Sequence, residues 1–168
     1  AYLMILKYLS KKFYINLSII ISIFLVDRIS KIYVVNLDKK LIDADLFNSA
    51  YLNITLVWNS GIAFGLLSIG ENNLYNLITI FIFLIVLILL ILVFKAEKLQ
   101  KYSYLIIVGG GLGNLFDRIF YKAVPDFIDI HFNGFHWFIF NIADIFITLG
   151  IICLIYGEVF LQKNKDEK

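Results

Sequence analysis

Asp144 is the residue whose surroundings demand an explanation. It stands in the stretch NIADIFITLGIICLIY, almost wholly apolar, with no basic residue within a helical turn of it. Charging a lone carboxyl in such surroundings is costly, so it needs a partner. Asp126 follows Pro125 in a segment that reaches the same level if it folds inward. Two carboxyls that share one proton form a dyad able to activate water for attack on a peptide carbonyl. Competing chemistries are poorly supplied. His131 and His136 lack the spacing of a helical metal pair, and HExxH does not occur. Cys153 is the single cysteine, which excludes an internal disulfide framework and a four-cysteine metal site. It lies about 24 Å along its helix by helical rise and reads as ordinary packing. Neither a metal nor a cofactor is expected.

Other polar residues fall in register with these two. Asp27 and Lys31 are i,i+4; Asn114, Asp117 and Arg118 are i,i+3,i+4; Asn141, Asp144 and Thr148 are i,i+3,i+7. Each set makes one stripe along a helix. Helical rise puts Asp27 about 14 Å, and Asn114 and Asp144 about 11 Å, from the same end of their helices. Polar stripes at one depth on three helices need a common interior, since none can face lipid. Simpler roles compete for several of these residues. Asp27 with Lys31 reads as a structural ion pair. For Asp117 and Arg118, a structural pairing and a direct role both stay open. The GGGLG run at 109–113 reads as close helix packing. Asn59 with Gly61 makes a turn signal, and Asp129 with His131 falls in an outward loop where solvation is the default.

The elements that must hold these residues follow from composition. Of 168 residues, 61% are hydrophobic and 17% charged, against about 45–50% and about 25% in soluble domains. A water-soluble core of this size could not hide the excess, so lipid is its solvent. The net charge of +2 is too small to suggest nucleic acid. Spanning hydrocarbon takes roughly 20 helical residues, and four segments qualify: 13–35, 74–94, 102–121 and 137–160. The first continues apolar past Asp27 and Arg28 without a small-residue cleavage site, so it reads as a retained helix and not a signal peptide. The fold class expected is a mainly α membrane protein, one integral domain over 1–168, with four transmembrane helices and a small external β-structure. The β-structure is placed on 51–58 (YLNITLVW), rich in β-branched and aromatic residues, ahead of the turn signal Asn59-Ser60-Gly61. Lys7, Lys11 and Lys12, then Lys95, Lys98 and Lys101, then Lys163, Lys165 and Lys168 flank the spans on one side. By the positive-inside rule both termini are cytoplasmic, and segments 36–73 and 122–136 face outward.

Buried acids and an arginine also mark ion pathways, so a small transporter or proton conductor is a second reading. It calls for polar residues across the whole membrane width, whereas the inner half of every span is apolar. A purely structural subunit is a third reading, and it leaves Asn141 and Asp144 without a reason to be in lipid.

Five blocks decide among these. They are Asp27-Arg28-Ile29-Ser30-Lys31, NSGIAFG at 59–65, GGGLGNLFDR at 109–118, Val124-Pro125-Asp126-Phe127, and FNIAD at 140–144. In this order they resemble the bacterial lipoprotein signal peptidases, also called signal peptidase II. Each block alone is weak; together, on a four-span scaffold, they are specific. Residues 36–52 match no motif. The resemblance implies an aspartic endopeptidase of the inner membrane that removes the signal peptide of a prolipoprotein just before its diacylglyceryl-modified cysteine. It places the catalytic pair on Asp126 and Asp144, and substrate-positioning or dyad-supporting roles on Asn59, Gly61, Asn114, Arg118 and Asn141. Asp27, Lys31 and Asp117 are left as structural polar residues. The implied partners are diacylated prolipoprotein signal peptides and membrane lipid, the active site faces the outer leaflet, and the enzyme is monomeric.

Overall fold

The structure, a computed structural model, describes residues 2–41, 46–61 and 72–161. Expectations that fall on 62–65 of the second block, on 42–45, on 66–71 and on the lysines after 161 lie outside the described residues. Helices α1 (Tyr2–Asp38), α2 (Asn72–Lys95), α3 (Lys98–Tyr121) and α4 (Ile142–Tyr156) carry most of the chain, and α4 runs on into a π-helical turn, Gly157–Leu161. Strands β1 (Phe47–Asn48), β2 (Leu52–Asn59), β3 (Val124–Phe132) and β4 (Phe135–Phe140) form one antiparallel sheet in the order β1-β2-β3-β4.

Helix α3 is the hub, packing against α1, α2 and α4. Its GGGLG run permits this. A Cβ at Gly110 would lie 2.6 Å from the Ala143 carbonyl oxygen of α4, and one at Gly113 would collide with the Asp27 carboxylate of α1. Only hydrogen in place of a side chain allows the backbones this close. Charge is distributed inside out. Asp27, Lys31 and Asp117 are at most 1% exposed, while Ile29, Ile32, Tyr33, Phe81 and Phe94 face outward at more than half their area. Water would reverse that pattern; hydrocarbon selects it. The segments Tyr75–Lys95 and Ile142–Phe160 are long and apolar enough to cross a membrane. Helices α1 and α3 have the length, at 37 and 24 residues, but carry the charged stripes.

Two expectations are corrected. The fourth helix does not begin at 137. Residues Trp137 to Phe140 belong to β4, and the helix starts at Ile142 with Asn141 as its N-cap. Nor is the segment after α3 a plain outward loop. It is the β3–β4 hairpin, closed by Asn133 (φ 49) and Gly134 (φ 80), the two positive-φ residues of a tight hairpin turn. The exposed apolar aromatics of this strand look like the start of a span when read by hydropathy alone. The expected strand at 51–58 is found as β2, and it is one of four rather than an isolated element.

Replacing Gly110 by Val should overpack the α3–α4 crossing and destabilise the protein by about 1–3 kcal/mol. Gly134→Ala, where a Cβ meets nothing within 4 Å, should cost only the strain of its positive φ. Thermal unfolding in detergent compares the two, and the expected order is reversed only if α3 and α4 do not pack as described.

Candidate active site

Strand register brings the first acid into place. Asp126 pairs with Val57 and Val124 with Asn59 across the β2–β3 ladder. Residues opposite one another, and residues two apart, share a sheet face. The Asn59 amide therefore reaches diagonally to Asp126, donating from Nδ2 to Oδ2 at 2.8 Å.

The second acid sits at a helix mouth. Asp144 is at the third position of α4, not several turns down it. The expected depth of about 11 Å along the helix is thus overturned, because the preceding residues are a strand. Asn141 and Asp144 form a capping box: the Asn141 Oδ1 accepts from the Asp144 N–H at 3.2 Å, and the Asp144 Oδ2 accepts from the Asn141 N–H at 3.1 Å. With its oxygen committed to the cap, Asn141 turns its NH2 to Asp126 and donates to Oδ1 at 2.6 Å. One asparagine thus bridges the two acids. Asn114 of α3 completes the set, donating from Nδ2 to Asp144 Oδ1 at 2.8 Å.

Behind them lies a buried ionic cluster. Lys31 Nζ donates to Asp27 at 2.9 Å, to Asp117 at 2.8 Å and to Asn114 Oδ1 at 2.8 Å. Arg28 Nη2 lies 2.6 and 2.8 Å from the two oxygens of Asp117, and its guanidinium stacks on Phe116. Asp27 Oδ1 accepts from the Ala143 N–H of α4 at 3.0 Å. The Asp27–Lys31 ion pair is present as expected. Asp117, however, does not pair with its sequence neighbour Arg118; side chains one apart point to different sides of a helix, and its partners come from α1. Arg28, to which the sequence reading gave no role, is one of them. Its position beside Asp27 in the first block was the available signal.

Arg118 instead donates to the Gly61 carbonyl, with its guanidinium over the Tyr75 ring. The Gly61 N–H donates in turn to Asn59 Oδ1 at 2.8 Å. The Tyr75 hydroxyl donates to the Arg118 carbonyl at 3.1 Å, a support that the sequence did not indicate. Asn59, Asn114, Arg118, Asp126, Asn141 and Asp144 all line one cavity of about 230 Å³, walled on the other side by Ile82, Ile85, Val86 and Leu89 of α2. Asp129 is not among its lining residues; it is taken by His136 Nδ1 at 2.8 Å. Among the described residues no three His, Cys, Asp or Glu side chains converge as a metal site would require.

Similarity to known proteins bears on what this arrangement is. The family model described as signal peptidase (SPase) II matches residues 19–160. The chain belongs to the signal peptidase II family. It is 49% identical over 158 residues to the lipoprotein signal peptidase of Pelagibacter ubique (strain HTCC1062), covering 94% of this chain and 95% of that protein. The lipoprotein signal peptidase of Anaplasma phagocytophilum (strain HZ) is 38% identical over 150 residues, covering 89% and 94%. A bacterial membrane enzyme solved in meso at 2.3 Å shares the fold with a TM-score of 0.71 and 30% identity, over 91% of this chain and 92% of that one. A second, solved in meso at 1.9 Å, gives 0.67 and 26% over 86% and 92%. The described residues of the five blocks supply the polar side chains of the cavity and the ionic cluster behind it.

Within this site the Asp126 carboxyl is pushed up to about 6, first by burial and then by the charge of Asp144. The ordinary value is 3.8. A raised folded value gives stability that is fully present below the ordinary value and lost as pH rises through the folded one. At about 1.4 kcal/mol per unit, Asp126 should cost the wild type about 2–3 kcal/mol between pH 4 and pH 7. Asp126→Asn, which cannot ionise, should gain on the wild type by that amount over the range. Thermal unfolding of both proteins at each pH measures it, and a stability difference that does not change with pH would refute the burial and pairing of Asp126.

Proposed function

We propose that this signal peptidase II is an aspartic endopeptidase that cuts diacylglyceryl-modified prolipoproteins just before the lipid-modified cysteine, with Asp126 and Asp144 as its catalytic dyad. The single observation that carries the reading is the bridge through Asn141. Two carboxyls line one cavity, tied by one asparagine, with every amide around them donating. Basic partners for the acids lie one shell back, on Asn114 and not on the dyad itself.

The pair holds one proton between them. The ionised carboxylate takes a proton from a water molecule as its oxygen bonds to the scissile carbonyl carbon. The protonated carboxyl hydrogen-bonds the carbonyl oxygen and passes its proton to it. When the tetrahedral species collapses, the C–N bond breaks, the leaving amine takes up the proton that came from water, and one hydroxyl returns its proton to the dyad, which is restored. Arg118 is 4% exposed, lines the cavity, and among the described residues its Nε and Nη1 have no partner. Turned to the cavity when a peptide binds, these N–H groups would serve backbone carbonyls of the segment being cut. The apolar wall from α2 suits a signal peptide that is itself a membrane helix.

The proposed topology has four spans, with the sheet and cavity toward the outer leaflet and both termini in the cytoplasm. Lys12, Lys95, Lys98 and Lys101 gather round a hollow of about 600 Å³ where α2 ends and α3 begins beside α1, which supports that orientation. The enzyme works as a monomer, on membrane-held peptides.

Asp→Asn keeps size and polarity but removes the ionisable proton. Asp126→Asn and Asp144→Asn should each abolish cleavage of a diacylated prolipoprotein, while Asp129→Asn, engaged with His136, keeps most of it. A gel-mobility assay with equal amounts of folded enzyme reads this, and substantial turnover by either dyad variant overturns the assignment. Arg118→Lys should lose activity too, since a point charge does not replace a planar fork. For topology, Lys98→Cys in a Cys153→Ser background should be labelled only from the cytoplasmic side; labelling from outside would reverse the orientation.

A further inference from the structure

Each asparagine at the dyad presents its NH2 to a carboxylate, and in each case something else holds its oxygen. For Asn59 it is the Gly61 N–H, and for Asn141 the Asp144 N–H. Both are backbone groups, fixed by the fold. For Asn114 it is the Lys31 ammonium, the one side chain among the three. An ammonium has donors and no acceptor. With Nζ 2.8 Å from Asn114 Oδ1, the opposite amide orientation would set NH2 against NH3⁺ and a carbonyl against the Asp144 carboxylate. Two hydrogen bonds would become two repulsive contacts.

We propose that Lys31 is a positioning residue for catalysis: it locks the Asn114 amide so that NH2, never the carbonyl, faces Asp144. This rests on the dyad reading above and extends it one step behind the carboxylates. The Lys31 ammonium is saturated, since its three N–H groups meet Asp27, Asp117 and Asn114. It is 1% exposed, so water offers no alternative partner, and its direction toward Asn114 is set by the two carboxylates. Asp27 steers the same aspartate by a second route, because its other oxygen holds the N–H of Ala143, the residue before Asp144. Helix α1 never touches the cavity, yet it fixes which donor one of the acids sees.

A structural ion pair predicts something different, and the difference is measurable. Lys31→Met and Lys31→Gln lose the same charge, but only Gln keeps an N–H for Asn114 Oδ1. Both are made in an Asp117→Asn background, which removes one anion for the one cation lost and keeps the cluster balanced. Activity is read on a diacylated prolipoprotein in detergent, with thermal unfolding alongside. The expected result is equal thermal stability, KM within about threefold, and kcat lower for Met than for Gln by about 10-fold or more. With Asn114→Ala added, the Met and Gln variants should become equal, because the amide to be oriented is gone. Equal kcat for Met and Gln with Asn114 present overturns the proposal, as does an unchanged gap once Asn114 is Ala. Should the balanced variants fail to fold, the same Met–Gln comparison with Asp117 intact decides by the same criterion. If instead Asp126→Asn or Asp144→Asn still cuts substrate, it is the dyad reading that fails, and the two failures are told apart.

Discussion

A carboxylate removed from water must have a donor for its oxygens, and the architecture of the site follows from meeting that demand for the four acids around it. Asp27, Asp117 and Asp126 are buried, and Asp144 half-buried, in a protein whose exposed side chains are largely apolar. The chain solves the problem in two ways. Asp27 and Asp117 are neutralised by Lys31 and Arg28. Asp126 and Asp144 receive neutral amides instead. An ammonium against the second pair would fix their charge and take away the proton they are proposed to share. Amides satisfy the oxygens while leaving that proton free to move. Separating charged from neutral donors is thus what divides the ion-paired cluster from the proposed dyad, within a single hydrogen-bonded network.

That separation needs close backbones. Lys31 reaches Asn114 only because α1 lies against α3, and the Asp27 carboxylate occupies the space that a side chain at Gly113 would fill. The Ala143 carbonyl likewise sits where a side chain at Gly110 would be. Small residues on the hub helix therefore serve the chemistry as much as the packing. They set the distances at which one amide can meet a lysine on one side and an aspartate on the other.

Asp126 on a strand and Asp144 on a helix mouth is a mechanically sensible division. A paired strand and a capped helix start are each fixed by backbone hydrogen bonds, and Asn141, at the junction of β4 and α4, ties the two. It follows β4 directly and caps α4, and its amide reaches back to Asp126 on β3. Neither acid depends on a long flexible side chain for its placement, so the gap in which a peptide bond would lie is a property of the backbone.

How much of this was legible beforehand differs by residue. The resemblance to the signal peptidase II family marked Asn59, Gly61, Asn114, Arg118, Asp126, Asn141 and Asp144, and all but Gly61 line the cavity. Helical periodicity found the Asp27–Lys31 pair, because four residues is one helical turn and needs no knowledge of other elements. The hairpin was missed although Asn133-Gly134 announced it, since a run of aromatic strand residues carries the same hydropathy as a span. Asp117 was referred to Arg118 because nearness along the chain was the only nearness available. The sequence by itself determined that the protein lives in lipid, which residues must be turned away from it, and which of them pair within one helix. Only the tertiary structure decided that Asp117 belongs to α1, that Asn141 bridges two acids, and which way each amide points. The reason is physical: hydropathy and periodicity are properties of a single segment, whereas a hydrogen bond across elements depends on where two backbones meet.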